Sequence, residues 1–78
     1  MSNHVDIKQR FGHAIKKRRL ELGLSQEQLA EISSLHRTYI SGIERGTRNI
    51  SIENIGKISR ALDISISTLF SLYGIEGK

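Results

Sequence analysis

The segment of residues 24–46 constrains the fold of this 78-residue chain more than any other. Ser25 is followed three residues later by Gln28, which is the spacing of a capping box that starts a helix. A second helix is predicted over about Arg37 to Arg45, where isoleucines recur at helical spacing and Gly46 supplies the stop. The segment therefore predicts two short helices joined by a tight turn.

Three further helices are predicted from apolar periodicity on either side of this segment. The predicted elements are a first helix over about Asp6–Leu22 that stops at Gly23, a fourth that starts at the N-cap Ser51, and a fifth over about Ser65–Tyr73 that stops at Gly74. The residues that carry the periodicity are Ile7, Phe11, Ile15 and Leu22 in the first helix and Ile52, Ile55, Ile58 and Leu62 in the fourth. No stretch alternates at period two for long enough to indicate a strand. The prediction is an all-α, compact five-helix domain over residues 1–78, with a helix-turn-helix at about 25–45.

Charge and composition favour a polyanionic partner and a cytoplasmic location. The formal net charge is +4, and the basic residues cluster at 16–19 and around the second motif helix. For Lys16 and Lys17, a solvated helix face explains the basic charge equally well. The N-terminus lacks the basic start and apolar run of a signal peptide, and no apolar run approaches the ~20 residues of a membrane helix. Without cysteine, disulfides and thiolate metal sites are excluded.

The second motif helix carries side chains suited to contact a DNA groove. Ile40 and Ile43 define its buried side, which leaves Arg37, Thr38 and Ser41 on the solvent side. In a helix-turn-helix the second helix lies in the major groove while the first crosses the backbone. The Arg37 side chain is long enough to donate two hydrogen bonds to the O6 and N7 edge of a guanine. Thr38 can contact a phosphate or a thymine methyl. These residues predict sequence-specific binding to double-stranded DNA.

Polar residues around this helix extend the predicted DNA surface, and most have a structural alternative. Gln26 lies in the first turn of the first motif helix, called the bracing helix below. It is predicted to bind a phosphate; the alternative is that it is only a polar residue at the start of a helix. Tyr39 is suited either to a sugar or phosphate contact or to the edge of the core. Arg45 adds positive charge, and Arg48 is suited either to a narrow minor groove or to a solvated loop.

A structural ion pair is predicted between the first helix of the chain and the second motif helix, called the reading helix below. Arg19 lies on the apolar stripe of the first helix, and Glu44 directly follows the buried Ile43. A partly buried pair between them ties the two helices together. Nearby, Gly42 is unusual in a helix interior, where glycine costs about 1 kcal/mol relative to alanine. Close approach of its backbone either to DNA or to the first helix would explain it.

The fifth predicted helix, at about 65–73, carries more apolar surface than one short helix needs to join its own core. A second copy of the chain would bury the surplus, which predicts a dimerisation helix. The alternative is an unusually deep terminal helix. The residues predicted at the dimer interface are Ile66, Leu69, Phe70 and Tyr73.

These motifs resemble the phage-repressor-like, or lambda-repressor-like, helix-turn-helix family. The likeness is carried by Gly-Leu-Ser-Gln-Glu-Gln-Leu-Ala at 23–30 and Tyr-Ile-Ser-Gly-Ile-Glu-Arg-Gly at 39–46, and it covers about residues 8–73. The pair Arg19–Glu44 resembles that family's buried salt bridge. A narrower likeness, in Arg-Thr-Tyr-Ile-Ser-Gly-Ile-Glu-Arg at 37–45 followed by Arg48-Asn49, is to the controller proteins of bacterial restriction–modification systems.

The resemblance to these controllers implies a homodimer that regulates its own gene and switches on the endonuclease gene after a delay. It implies a pseudo-palindromic operator and a protein associated with the nucleoid when bound. The residues implied to lie at the operator are Arg37, Thr38 and Tyr39, with Arg48 and Asn49 near the minor groove and backbone. His36 stands where the family usually has Asp, Ser or Thr, which implies either a weaker helix start or a pH-sensitive phosphate contact.

Other functions are weighed against this one. A phage or plasmid repressor fits the same residues, and an antitoxin would need an additional tail or an exposed strand for its toxin. An enzyme is not expected, because the histidines lack metal-ligand spacing and no glycine-rich phosphate loop occurs; we expect no cofactor and no metal. Glu27 and Glu31 share one face of the bracing helix, which is suited to contact RNA polymerase or merely to be solvated.

Overall fold

The computed structural model describes residues 6–75, which form five α-helices. The helices are α1 (Ile7–Glu21), α2 (Gln26–Ser33), α3 (Arg37–Arg45), α4 (Ile52–Ala61) and α5 (Ile66–Leu72). The part of the chain that the structure describes contains no strand, so the all-α prediction is confirmed. None of these helices is both long enough and apolar enough to cross a membrane.

Short polar side chains start four of these helices. The capping box of α2 is complete, because Ser25 Oγ accepts from the Gln28 backbone N–H at 3.0 Å and Gln28 Oε1 accepts from the Ser25 N–H at 2.8 Å. The other cap residues are Asp6, Ser51 and Ser65. In contrast, His36 precedes α3 without a side-chain cap hydrogen bond. The stability of α3 therefore depends on its packing rather than on its own first turn.

One apolar core lies where the five helices meet. Its fully buried large side chains are Ile15, Leu29, Ile40, Ile43, Ile58, Leu62, Leu69 and Ile75. Three residues of the predicted apolar stripes lie outside it: Ile7 is 59% exposed, Leu22 is 40% exposed and Ile52 is 74% exposed. They lie at the two ends of α1 and in the first turn of α4, where the neighbouring helices leave them uncovered.

The α5 helix packs into its own protomer more deeply than the sequence predicts. Leu69 is completely buried in the core, which corrects its predicted place at a dimer interface. The ring of Phe70 packs 5.9 Å from the ring of Phe11, measured between centroids. The Tyr73 hydroxyl donates a 2.6 Å hydrogen bond to Glu21. That bond raises the pKa of Tyr73, because it stabilises the protonated hydroxyl.

The first and third helices approach each other closely at Gly12. A Cβ at this residue would overlap the backbone oxygen of Ile43 and lie 2.8 Å from that of Glu44. Both oxygens belong to the backbone of α3, which cannot yield without a shift of the whole helix. The lack of a side chain at Gly12 therefore sets the distance between α1 and α3.

We expect Gly12→Ala to lower the free energy of unfolding by about 1–3 kcal/mol, because the added methyl overpacks this contact. The matched control is Gly56→Ala in α4, where a Cβ would lie 3.7 Å from Arg60 Nη1, an ordinary contact. That variant should instead gain about 0.5–1 kcal/mol from the higher helix propensity of alanine. Urea denaturation of both variants measures the difference, and equal stabilities would contradict the close approach.

Candidate nucleic-acid interface

A buried ion pair, Arg19–Glu44, anchors the inner side of α3. Arg19 donates from Nε to Glu44 Oε2 at 2.7 Å and from Nη2 to Glu44 Oε1 at 3.0 Å. Its Nη1 donates to the backbone oxygen of Leu24 at 2.8 Å. The two side chains are 8% and 3% exposed, so the charges are almost fully removed from water. The predicted ion pair is present, and it joins α1, the turn before α2, and α3.

The guanidinium of Arg19 stays charged in this surrounding. The hydrogen bond to Glu44 raises the pKa of Arg19, and this effect outweighs burial, which alone would lower it. The forked geometry also fixes the orientation of the carboxylate, because two parallel N–H donors match its two oxygens. The pair therefore acts as one rigid connection between the helices.

The side chain of Gln26 connects this ion pair to the exposed face of α3. Its Nε2 donates to Glu44 Oε1 at 3.0 Å, and its Oε1 accepts from Arg37 Nη1 at 3.3 Å. The sequence predicts a phosphate contact for Gln26, and that contact stays a prediction. The same amide orients Arg37 at the surface of α3. Arg37 Nε also lies 3.7 Å from Glu27 Oε2, an exposed ion pair that contributes little stability.

The outer face of α3 is polar, as the periodicity predicts. Arg37 and Thr38 are exposed, and Ser41 is partly exposed one turn further along the helix. Arg45 donates from Nη1 to the Ser41 hydroxyl, which holds its guanidinium along the helix. The isoleucines on the opposite side of α3 are buried. The structure therefore brings the first-turn residues Arg37 and Thr38 together on one accessible surface.

A second polar group meets α3 at the loop of residues 46–51. The Arg48 guanidinium lies over the Tyr39 ring, with 5.7 Å from Cζ to the ring centroid. The Tyr39 hydroxyl accepts a hydrogen bond from Asn54 Nδ2 at 3.0 Å. Asn49, the remaining loop residue predicted to contact DNA, is exposed. The half-buried ring of Tyr39 agrees with a place at the edge of the core, and its outer side supports a cation. Its contact with DNA stays a prediction.

The sequence pattern does not single out Asn54, whose only signal is a place in the first turn of α4. Its contact with Tyr39 joins residues fifteen positions apart, which no local periodicity can show. A cavity of about 420 Å³ lies beside this group, and its lining includes His36, Thr38 and Arg48. The Arg48 guanidinium in this lining is suited to bind an anionic group such as a phosphate.

The chain is similar in sequence and in fold to known helix-turn-helix proteins. The helix-turn-helix family model matches residues 15–69. Control protein C.MunI of Mycoplasma sp is 54% identical over 67 residues, which cover 85% of this chain and 90% of that protein. The crystal structure of the restriction-modification controller C.AhdI from Aeromonas hydrophila has a TM-score of 0.79 at 48% identity, covering 81% of this chain and 96% of that one. The C.Esp1396I tetramer in complex with its natural 35 base-pair operator has a TM-score of 0.84 at 41% identity, covering 94% and 96%.

We expect Arg19→Ala to lower the free energy of unfolding by about 3–5 kcal/mol, because it leaves the Glu44 carboxylate buried without its cation. Lys16→Ala, at an exposed residue of the same helix, is the control and should change stability by less than about 0.5 kcal/mol. Chemical denaturation followed by circular dichroism measures both. Similar stability of the two variants would show that the pair contributes nothing to the fold.

Proposed function

The chain belongs to the helix-turn-helix family of DNA-binding transcription regulators, and we propose that it is the controller of a restriction–modification system. In this role it binds a pseudo-palindromic operator as a homodimer and regulates its own gene and the endonuclease gene. The observation that carries the proposal is the outer face of α3, where Arg37 and Thr38 are exposed while the inner side is fixed by a buried ion pair. The extended likeness to control proteins supports this biological role.

In the proposed complex, α3 lies in the major groove and α2 crosses the backbone. Arg37 forks onto a guanine edge, and Thr38 contacts a phosphate or a thymine methyl. Arg45, Arg48 and Asn49 follow the groove towards the backbone, where their cations and amide bind phosphates. In this proposal the protein acts on operator DNA in the bacterial cytoplasm by binding alone, without a catalytic step.

We infer dimerisation from the small size of one reading surface. A single α3 presents few groups to a groove, whereas two copies read two half-sites together. Of the residues predicted at the interface, Ile66 is exposed, and Phe70 and Tyr73 are half-buried. Leu72, on the same helix, is 68% exposed. A second protomer that covers this outer side of α5 would remove exposed apolar surface from water.

A contact with RNA polymerase is the activating part of the proposal. Glu27 and Glu31 are both exposed on α2, as the sequence predicts. Glu27 lies within ion-pair distance of Arg37, so one of the two acids is partly engaged before any partner binds. We therefore assign the larger share of a polymerase contact to Glu31.

A repressor of phage or plasmid origin would use the same surface, so the α3 geometry supports both roles. Adjacent genes for a methyltransferase and an endonuclease would distinguish the controller from that alternative. An antitoxin role has no structural feature of its own in its favour within residues 6–75, where every element packs into one helical core.

We expect Arg37→Ala to weaken binding to the duplex upstream of its own gene by about 1–3 kcal/mol and to relax the preference at one base pair per half-site. Binding to a scrambled duplex should change much less, because the phosphate contacts remain. Arg60→Ala, at an exposed residue of α4, is the control and should leave the preference unchanged. Fluorescence anisotropy titrations at several salt concentrations measure both affinity and its salt dependence. Equal weakening on both duplexes would reduce Arg37 to a phosphate contact, and a wild-type affinity independent of salt would contradict DNA binding.

We expect Ile66→Asp to convert the protein to a monomer, because a carboxylate cannot be buried unpaired between two protomers. Operator affinity should fall with it, while the melting temperature of the protomer stays close to that of the wild type. Ile32→Asp introduces the same charge at an isoleucine of α2 that is 55% exposed, and it should remain dimeric. Sedimentation velocity at micromolar concentration separates the two states. A monomeric wild type that still binds its operator specifically would remove the proposed dimer.

A further inference from the structure

Gly42 lies in the interior of α3, where alanine is the better helix former. Its backbone is ordinary α-helix with no positive φ, so its conformation does not require glycine. The space above its Cα is instead filled by Arg48. A Cβ on Gly42 would lie 2.6 Å from Arg48 Cγ, 3.4 Å from Nε and 3.5 Å from Cδ. The missing side chain at Gly42 thus makes room for the stem of an arginine from the next loop.

The loop that carries Arg48 is tied to the same turn of α3. The backbone N–H and the hydroxyl of Thr47 both donate to the Gly42 carbonyl, at 3.0 Å and 3.1 Å. One turn earlier, the Tyr39 ring supports the Arg48 guanidinium at a distance at which a cation and an aromatic face attract each other. Asn54 donates to the Tyr39 hydroxyl and so holds the outer end of that side chain in place. Arg48 is therefore held along its whole length, with its stem on Gly42 and its head on Tyr39.

These contacts keep Arg48 on the surface and do not bury it. The residue is exposed, and it lines the same cavity as His36 and Thr38 at the start of α3. An arginine that moves freely on a surface loses rotamer freedom when it binds, which offsets part of the binding free energy. An arginine already held in one orientation loses less. Preordering at this place therefore strengthens a contact that Arg48 makes beside α3.

We propose that Gly42, Tyr39 and Asn54 are positioning residues that hold Arg48 against α3, so that its guanidinium meets DNA already oriented. This inference rests on the proposed function, because it assigns a role within the same DNA interface. It gives Gly42 a binding role in place of a structural one: the glycine weakens the helix and improves the interface. It also makes Asn54 part of the interface although its side chain is turned towards Tyr39.

The decisive variant is Gly42→Ala, because stability and binding should move in opposite directions. The added methyl displaces Arg48 and improves the helix, so the melting temperature should stay the same or rise by roughly 2–8 °C. Affinity for the duplex upstream of its own gene should fall roughly three- to tenfold. Gly56→Ala is the matched control, since its Cβ meets only an ordinary contact in α4. It should gain similar stability and bind that duplex as the wild type does.

A double-mutant cycle separates positioning of Arg48 from any other effect of the methyl group. Arg48→Ala alone should weaken binding at least as much as Gly42→Ala. Once Arg48 is replaced, adding Gly42→Ala should cause no further loss. Asn54→Ala should behave in the same way, with a smaller loss in the wild-type background and none in the Arg48→Ala background. Anisotropy titrations with the upstream duplex and a scrambled duplex of equal length supply all the affinities.

The outcomes distinguish this inference from the proposed function. A wild-type protein that binds the upstream and scrambled duplexes equally would overturn the proposed function. Normal operator binding by wild type together with wild-type affinity of Gly42→Ala would overturn the positioning role alone. A Gly42→Ala variant that melts well below the wild type, or one that loses the same factor in the Arg48→Ala background, would also overturn it.

Discussion

The buried pair of Arg19 and Glu44 is the interaction on which the arrangement of the first three helices depends. Its forked hydrogen bonds join α1 to α3, and the third nitrogen of the guanidinium holds the backbone of the turn before α2. Because both charges are removed from water, neither can find a replacement partner without exposing the core. Gly12 complements this connection, since the absence of its side chain lets the backbones of α1 and α3 come close enough for the ion pair to form.

The same ion pair reaches the surface through Gln26. Glu44 accepts from this amide as well as from Arg19, and the amide oxygen in turn accepts from Arg37. The first residue of the reading helix is therefore oriented by a chain of hydrogen bonds that begins in the core. This connection compensates for a weak start of α3, where His36 supplies no side-chain cap. Packing and buried polar contacts, rather than local helix propensity, determine how α3 is presented to DNA.

The far end of the reading surface is organised by different means. There the contacts are an aromatic ring under a guanidinium, a glycine beneath its stem and two hydrogen bonds from the loop to one carbonyl. Gly42 is buried whereas Arg48 stays exposed, so this end is held by contacts at the surface rather than by a buried ion pair. The rigid end of the reading helix is suited to contact base edges in a DNA groove. The supported loop is suited to contact the phosphate backbone beside that groove.

The helices themselves could be predicted from sequence, because residues at their own ends determine where they start and stop. Serine and aspartate caps, the capping box of α2 and the glycine after α3 fix where the chain turns, and helical spacing shows that Arg37 and Thr38 share a face opposite the isoleucines. Sequence alone also indicates the Arg19–Glu44 pair, since each residue lies on an otherwise apolar side of its helix.

What covers each face was decided only by tertiary packing. Periodicity places Leu69 and Ile52 on apolar faces, yet Leu69 is fully buried and Ile52 mostly exposed. The partners of Gln26, Gly42 and Asn54 lie on other helices or loops, and such contacts depend on how separate elements pack, which spacing along one element cannot encode.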